Sequence, residues 1–175
     1  SSNFAMSNVT QKFFLPYQVN PSELVYENVP KIYDVAMTRP KSQRRKRLIR
    51  ILRRKGLKCV IASGWGKDRD NVIGQSKVLL NVHFDKDYNV YESIRCDRWT
   101  MNKTIVVSES SLLPDDPIVN FVLFAPYGNL IKKVIRTVRN YDQVHTNLFE
   151  NFSIEDLKKS KRKHVDNFVN FLESS

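Results

Sequence analysis

Residues 79–109, LLNVHFDKDYNVYESIRCDRWTMNKTIVVSE, set the strongest constraint on what this chain can fold into. An apolar segment leads into an acidic and aromatic loop, then an amphipathic segment, then a second apolar segment ending in Ser108 and Glu109. Two apolar strands separated by a helix require a crossover connection, so they lie parallel and both faces of their sheet are covered. In such βαβ units ligands sit where strands end and helices begin. One stretch therefore carries both the fold and the expected site.

The same alternation runs through the rest of the chain. Strands are predicted at residues 31–37, 58–63, 78–84, 104–109 and 119–125, each a short apolar run bounded by turn residues. A helix is predicted from the N-cap Ser42 to Lys55, with Gly56 just past its end and Leu48, Ile49, Ile51 and Leu52 as its apolar stripe. Further helices are expected at residues 68–75, 89–101, 129–140 and 154–172, and Ser153 with Asp156 matches a capping box for the last. Residues 13–19 contain Pro16 and read as an edge strand or extended connector, followed by a Pro-bounded linker with one helical turn. The expected architecture is a single α/β Rossmann-like domain over residues 13–175. It has a mostly parallel sheet of about five strands, helices on both faces and a helical C-terminal tail. Residues 1–12 read as an expression scar.

Composition limits the function classes. A hydrophobic content of 41% over 175 residues supports one core. No apolar run reaches the roughly 18 residues of a membrane span, and no signal peptide precedes the domain, so the expectation is a soluble, cytoplasmic protein. Without an export signal the sequons at Asn8, Asn102 and Asn151 read as chance matches. Cys59 and Cys96 have no metal-ligand spacing and read as buried reduced thiols. The net charge of +11 attracts phosphates on nucleotides, nucleic acid or anionic lipid.

Several groups could carry chemistry. The helix over residues 41–55 concentrates nine Arg and Lys residues, and its first turn follows a strand directly, where amides and dipole favour a phosphate. Arg44 and Arg45 are the two placed to reach one. Arg50, Arg53 and Arg54 read as a solvated outer face, or as a nucleic-acid contact with salt-dependent affinity. Gly64-Trp65-Gly66 closes the second strand and offers either a backbone approach with an indole for a base, or a tight turn with Trp65 folded over the core.

His83, Asp85, Asp87 and Tyr88 form a polar lip beyond the third strand. Their spacing does not support a metal site, and His83 suits a phosphate or sugar hydroxyl. Glu92 and Arg95 suit a local ion pair, or Glu92 suits the two hydroxyls of a ribose, since a carboxylate offers only acceptors. No Ser-His-Asp elbow, P-loop or HExxH motif occurs.

Six of these pieces, in order, resemble the C-terminal, donor-binding half of GT-B fold glycosyltransferases, in the group of spore-maturation glycosyltransferases and their giant-virus relatives. They are Phe14-Leu15-Pro16-Tyr17, Asp34-Val35-Ala36-Met37 followed by Arg44-Arg45, Ser63-Gly64-Trp65-Gly66, Leu79-Leu80-Asn81-Val82-His83, Glu92 with Arg95, and Val106-Val107-Ser108-Glu109. The resemblance implies a nucleotide-diphosphate sugar as donor substrate, with no metal and no further cofactor. It implies Glu92 as a ribose or sugar-nucleotide contact, Arg44 and Arg45 as diphosphate contacts, and Gly64, Trp65 and Gly66 as part of the base or phosphate wall. His83, Tyr88 and Arg95 complete the implied donor site. Glycosyl transfer would then need an N-terminal acceptor domain or partner protein, and the compartment would be the host cytoplasm for a viral protein. The rival expectation is a non-catalytic interaction or nucleic-acid-binding module using helix 41–55.

Overall fold

Five parallel strands carry the core in the computed structural model, which describes residues 15–18, 20–26, 28–64, 66–113 and 116–174. They are β1 (Tyr33–Thr38), β2 (Cys59–Ala62), β3 (Ser76–Asn81), β4 (Ile105–Glu109) and β5 (Val122–Ala125). Their order in the sheet is β2-β1-β3-β4-β5, and every pairing is parallel. Because side chains alternate across a strand, Val35, Met37, Val78, Leu80, Ile105 and Val107 face one side, while Ala36, Leu79 and Val106 face the other. On the first side pack α1 (Gln43–Arg54) and α4 (Leu130–Arg139). On the second pack α2 (Lys67–Gly74) and α3 (Ser93–Met101). The expected single Rossmann-like α/β domain with helices on both faces is what the chain forms.

Local chemistry explains most boundaries. The Ser42 Oγ accepts a hydrogen bond from Arg45 N at 3.4 Å, and Gly56 takes φ +85° just past the end of α1. Leu48, Ile49 and Leu52 are buried beneath that helix, whereas Ile51 is only half-buried. Glycine at 74 lets Tyr26 close over α2, since a Cβ there would lie 2.4 Å from the ring Cδ1.

Three expectations are corrected. The helix predicted from residue 89 begins at Ser93, because Val90 bridges Leu112 in parallel and Tyr91 N donates to Leu112 O at 3.2 Å, which holds the preceding residues extended. The strand predicted from residue 119 begins at Val122, because the Asp116 carboxylate caps a 3-10 turn over Pro117–Phe121 by accepting from Ile118 N at 3.0 Å. A helix the pattern did not assign, α5 (Tyr141–Phe149), follows α4 directly, and its Phe149 packs in an aromatic group with Phe121 and Phe152. Of the residues 13–19 expected as edge strand or connector, 15–18 belong to no strand, and the rest lie outside the described residues.

The C-terminal tail is α6 (Ile154–Ser174), started by Ser153 Oγ accepting from Asp156 N at 3.1 Å. A buried charge anchors it. Lys161 is fully buried, with Nζ 2.5 Å from Asp116 Oδ2 and 3.9 Å from Asp97 Oδ2, and Tyr91 donates its hydroxyl proton to Asp97 Oδ1 at 3.0 Å. Burial pushes the Asp97 carboxyl up to about 7, with Lys161 opposing and Asp116 adding to the rise. No helix among the described residues is long and apolar enough to cross a membrane.

The Asp97 shift has a defined sign. A carboxyl raised from 3.8 to about 7 stabilises the fold relative to an ionised one only while it stays protonated, so its contribution is full at low pH and lost as pH rises towards 7. The melting temperature of the natural chain minus that of Asp97→Asn is therefore expected to fall steadily between about pH 4 and pH 7. A pH-independent difference in differential scanning calorimetry would contradict this.

Candidate functional site

Strand order reverses between β1 and β3, since the chain leaves β1 for β2 on one side and returns to β3 on the other. Such a switch point opens a crevice outside the carboxyl ends of the strands. Here it is a cavity of about 850 Å³. Its walls are Thr38, Arg39 and Lys41 after β1, Ala62 and Gly64 after β2, and Arg69 on α2. Phe84, Tyr88 and Tyr91 follow from the loop after β3, with Glu92 to Arg95 at the start of α3 and Arg45 reaching in from α1. Five cationic side chains and one carboxylate face this space.

Arg45 is the most constrained of them. It is 5% exposed, and its Nε donates to Val82 O at 2.6 Å. Its Nη2 lies 3.6 Å from Glu92 Oε2 and has no hydrogen-bond partner. Burial pulls the Arg45 pKa down, with Arg95 and Arg44 acting in the same direction and Glu92 against it. An anion in the cavity would oppose that shift. Glu92 is the N-cap residue of α3 and pairs with both Arg95 and Arg45 through Oε2. Arg95 also donates to Asn81 Oδ1 at 3.3 Å, which ties the carboxylate to the end of β3.

Behind this wall lies a second network that uses groups expected in the site. Arg44 grips Glu109 with two hydrogen bonds, Nη2 to Oε1 at 2.6 Å and Nη1 to Oε2 at 3.1 Å, and its guanidinium lies 4.1 Å from the centre of the Tyr127 ring. It also donates to the carbonyls of His83 and Asp85 at 3.3 Å. Glu109 Oε2 accepts from His83 N at 3.0 Å. The Ser111 hydroxyl proton goes to Glu109 O at 2.8 Å, so the 2.8 Å contact between Ser111 Oγ and His83 Nε2 is donated by the imidazole. His83 is 2% exposed, and burial holds its pKa below the ordinary value, consistent with a neutral ring.

The structure thus brings Arg45, Gly64, Tyr88, Glu92 and Arg95 together around one cavity. Arg44 and His83 are spent behind it, and Gly66 serves as N-cap of α2 at φ +72°. Trp65 lies outside the described residues. Asp85 folds back on its own loop, accepting from Asp87 N and Tyr88 N at 3.0 and 2.9 Å. Among the described residues no group of His, Cys, Asp or Glu could hold a metal ion. Arg39, Lys41 and Arg69 were not expected in the site, although the Thr38-Arg39-Pro40-Lys41 loop closing β1 was the available signal. Glu109 gives no sign of its clamp in the sequence beyond its place at the end of a strand. Cys59 and Cys96 are free thiols, the first half-buried and pushed up to about 11 by burial, the second fully buried.

Comparison with known proteins places the chain beside viral ones. It is 36% identical over 171 residues to "Uncharacterized protein L138" of Acanthamoeba polyphaga mimivirus, covering 92% of this chain and 19% of that one. "Uncharacterized protein L137" of the same virus is 33% identical over 172 residues, covering 93% and 23% respectively. "Uncharacterized protein L140" is 33% identical over 148 residues, covering 79% and 49%. These relatives are viral. The chain spans between about a fifth and about a half of their lengths. No family model and no solved structure matches.

The two networks differ in what they do, and substitution separates them. Arg44→Ala strands a mostly buried Glu109 carboxylate, so chemical denaturation is expected to show a loss of roughly 2–3 kcal/mol in unfolding free energy. A variant as stable as the natural chain would show that Arg44 is not a structural clamp.

Proposed function

We propose that this domain binds a nucleotide-diphosphate sugar in the cavity at the β1/β3 switch point, as the donor half of a metal-independent glycosyltransferase of GT-B type. The observation that carries the reading is the buried Arg45 guanidinium, with an unpartnered Nη2, beside the Glu92 carboxylate in one cavity of about 850 Å³. A diphosphate supplies the acceptors that Arg45 lacks, and Arg39, Lys41, Arg69 and Arg95 surround the same space. Glu92 spends Oε2 on its two arginines, leaving Oε1 to accept from ribose hydroxyls.

In this reading the chain's own groups bind and orient the donor and stabilise the charge that grows on the departing diphosphate, the role a metal would otherwise fill. The N-terminus of α3, with Ile94 on the cavity wall, adds its dipole to that positive field. No residue here is assigned as the catalytic base. Transfer to an acceptor requires a second domain or a partner protein, and the greater length of the viral relatives leaves room for one. The half-exposed Phe84 and the exposed Ile94 on the rim offer apolar contact to a base or to that second domain.

Thermal denaturation with UDP-, GDP- and TDP-sugars tests the reading. One of them at about 100 times its dissociation constant should add about 2.7 kcal/mol of stability, equivalent to a rise of roughly 5–10 °C for a domain of this size. Glu92→Ala should abolish the rise, and Arg45→Lys should weaken binding by about tenfold or more through loss of the planar fork. No shift with any nucleotide sugar would overturn the proposal.

A further inference from the structure

Beyond the cavity, a second group of cations lies on the exposed sides of α1 and α4. Of the 29 basic residues, seven lie on α1 and four on α4, which leaves eighteen to match the eighteen acidic residues of the whole chain. The net charge of +11 is thus equal to the charge of these two helices alone. Neither helix contains an Asp or Glu. They lie against the same side of the sheet and touch one another, and Tyr127, in the 3-10 turn just before α4, donates its hydroxyl to Arg44 O at 3.2 Å.

Arg47, Arg50 and Arg54 on α1 and Lys132, Arg136 and Arg139 on α4 are all exposed and line open depressions. None of the six is ion-paired to a carboxylate among the described residues. Leaving such charges side by side costs self-repulsion, which a polyanion would relieve.

We propose that the α1/α4 face binds the phosphate backbone of a nucleic-acid duplex without reading its bases. Arginine supplies five of the six cations, and its planar fork matches phosphate oxygens in pairs. Two packed helices stand about 8–10 Å apart, so their rows of cations match phosphate ridges separated by a groove of about 6–12 Å. An α-helix of twelve residues runs about 18 Å, long enough to follow several phosphates on a strand. A single strand fits less well, because neither helix offers an aromatic stacking surface. An inserting membrane contact fits less well too, because no exposed large apolar side chain of the described residues lies on α1 or α4. The duplex site is independent of the sugar-nucleotide reading.

Fluorescence anisotropy with a labelled mixed-sequence DNA duplex tests this on the whole chain. Six phosphate contacts predict an affinity loss of about a thousandfold between 50 and 200 mM salt. The triple variants Arg47→Gln/Arg50→Gln/Arg54→Gln and Lys132→Gln/Arg136→Gln/Arg139→Gln change only exposed groups, and each should reduce the salt slope by about three contacts without lowering the melting temperature. Glu92→Ala should leave duplex affinity unchanged, so this result and that for nucleotide sugars stand or fall separately. Duplex binding that both triple variants leave intact, no duplex binding at low salt, or binding to phosphatidylserine vesicles in place of duplex would each overturn the proposal.

Discussion

The grip of Arg44 on Glu109 sets the arrangement at the carboxyl edge of the sheet. Glu109 ends β4, Arg44 stands in the first turn of α1, and β3 runs between them, so two short hydrogen bonds close the edge across three strands. The same carboxylate accepts from His83 N, and the same guanidinium donates to the carbonyls of His83 and Asp85. A charge-assisted, two-point contact of this kind is strong and directional. Arg45, the next residue of α1, donates instead to Val82 O and lines the cavity. Adjacent arginines thus have unlike places, one in a structural clamp and one on the cavity wall.

Charge is sorted spatially in the same way elsewhere. Within the fold each buried charge has a partner of opposite sign: Lys161 with Asp116 and Asp97, and Asp70 with Arg69 and Arg98. Arg98 also reaches Glu23 and lies over Trp99, so it binds α3 to α2 and to the N-terminal segment. Buried ions without partners are costly, which explains the pairing. Arg47, Arg50, Arg54, Lys132, Arg136 and Arg139 are left outside on α1 and α4, where water screens them. Between these two environments is the switch-point cavity, where Glu92 pairs with Arg45 and Arg95 and Asp70 pairs with Arg69. The cavity is thus neither a closed core ion pair nor a fully solvated surface.

Much of the architecture was legible in the chain because it depends on local periodicity. Apolar runs such as Val78 to Leu80 and Ile105 to Val107, separated by helical patterns, imply parallel crossovers regardless of distant contacts. The N-cap Ser42 and Gly56 past the end of α1 are signals of the same local kind. The start of α3 was not legible, because Val90 is kept extended by a bridge to Leu112, a residue more than twenty positions away. The start of β5 was hidden for a similar reason, with Asp116 and Lys161 setting the turn before it. In α5 the spacing of Tyr141, Val144 and Leu148 is helical but short, and its partner surfaces on Phe121 and Phe152 come from elsewhere in the chain.

For the candidate site, residue type and order along the chain identified the neighbourhood: Arg45, Gly64, Tyr88, Glu92 and Arg95 converge where strand ends and helix starts were expected to meet. The sequence by itself determined the fold class, the excess of positive charge and the set of polar groups available at the strand ends, since each follows from composition and short-range pattern. Only the tertiary structure decided that Arg44 and His83 are withdrawn into a hydrogen-bonded support, that Arg39, Lys41 and Arg69 join the cavity, and that α4 lies beside α1 to double its cationic face. Those outcomes depend on strand order and on contacts between residues far apart in the chain. Strand order is set by the packing of the whole sheet, and no local pattern encodes which parallel strand becomes whose neighbour.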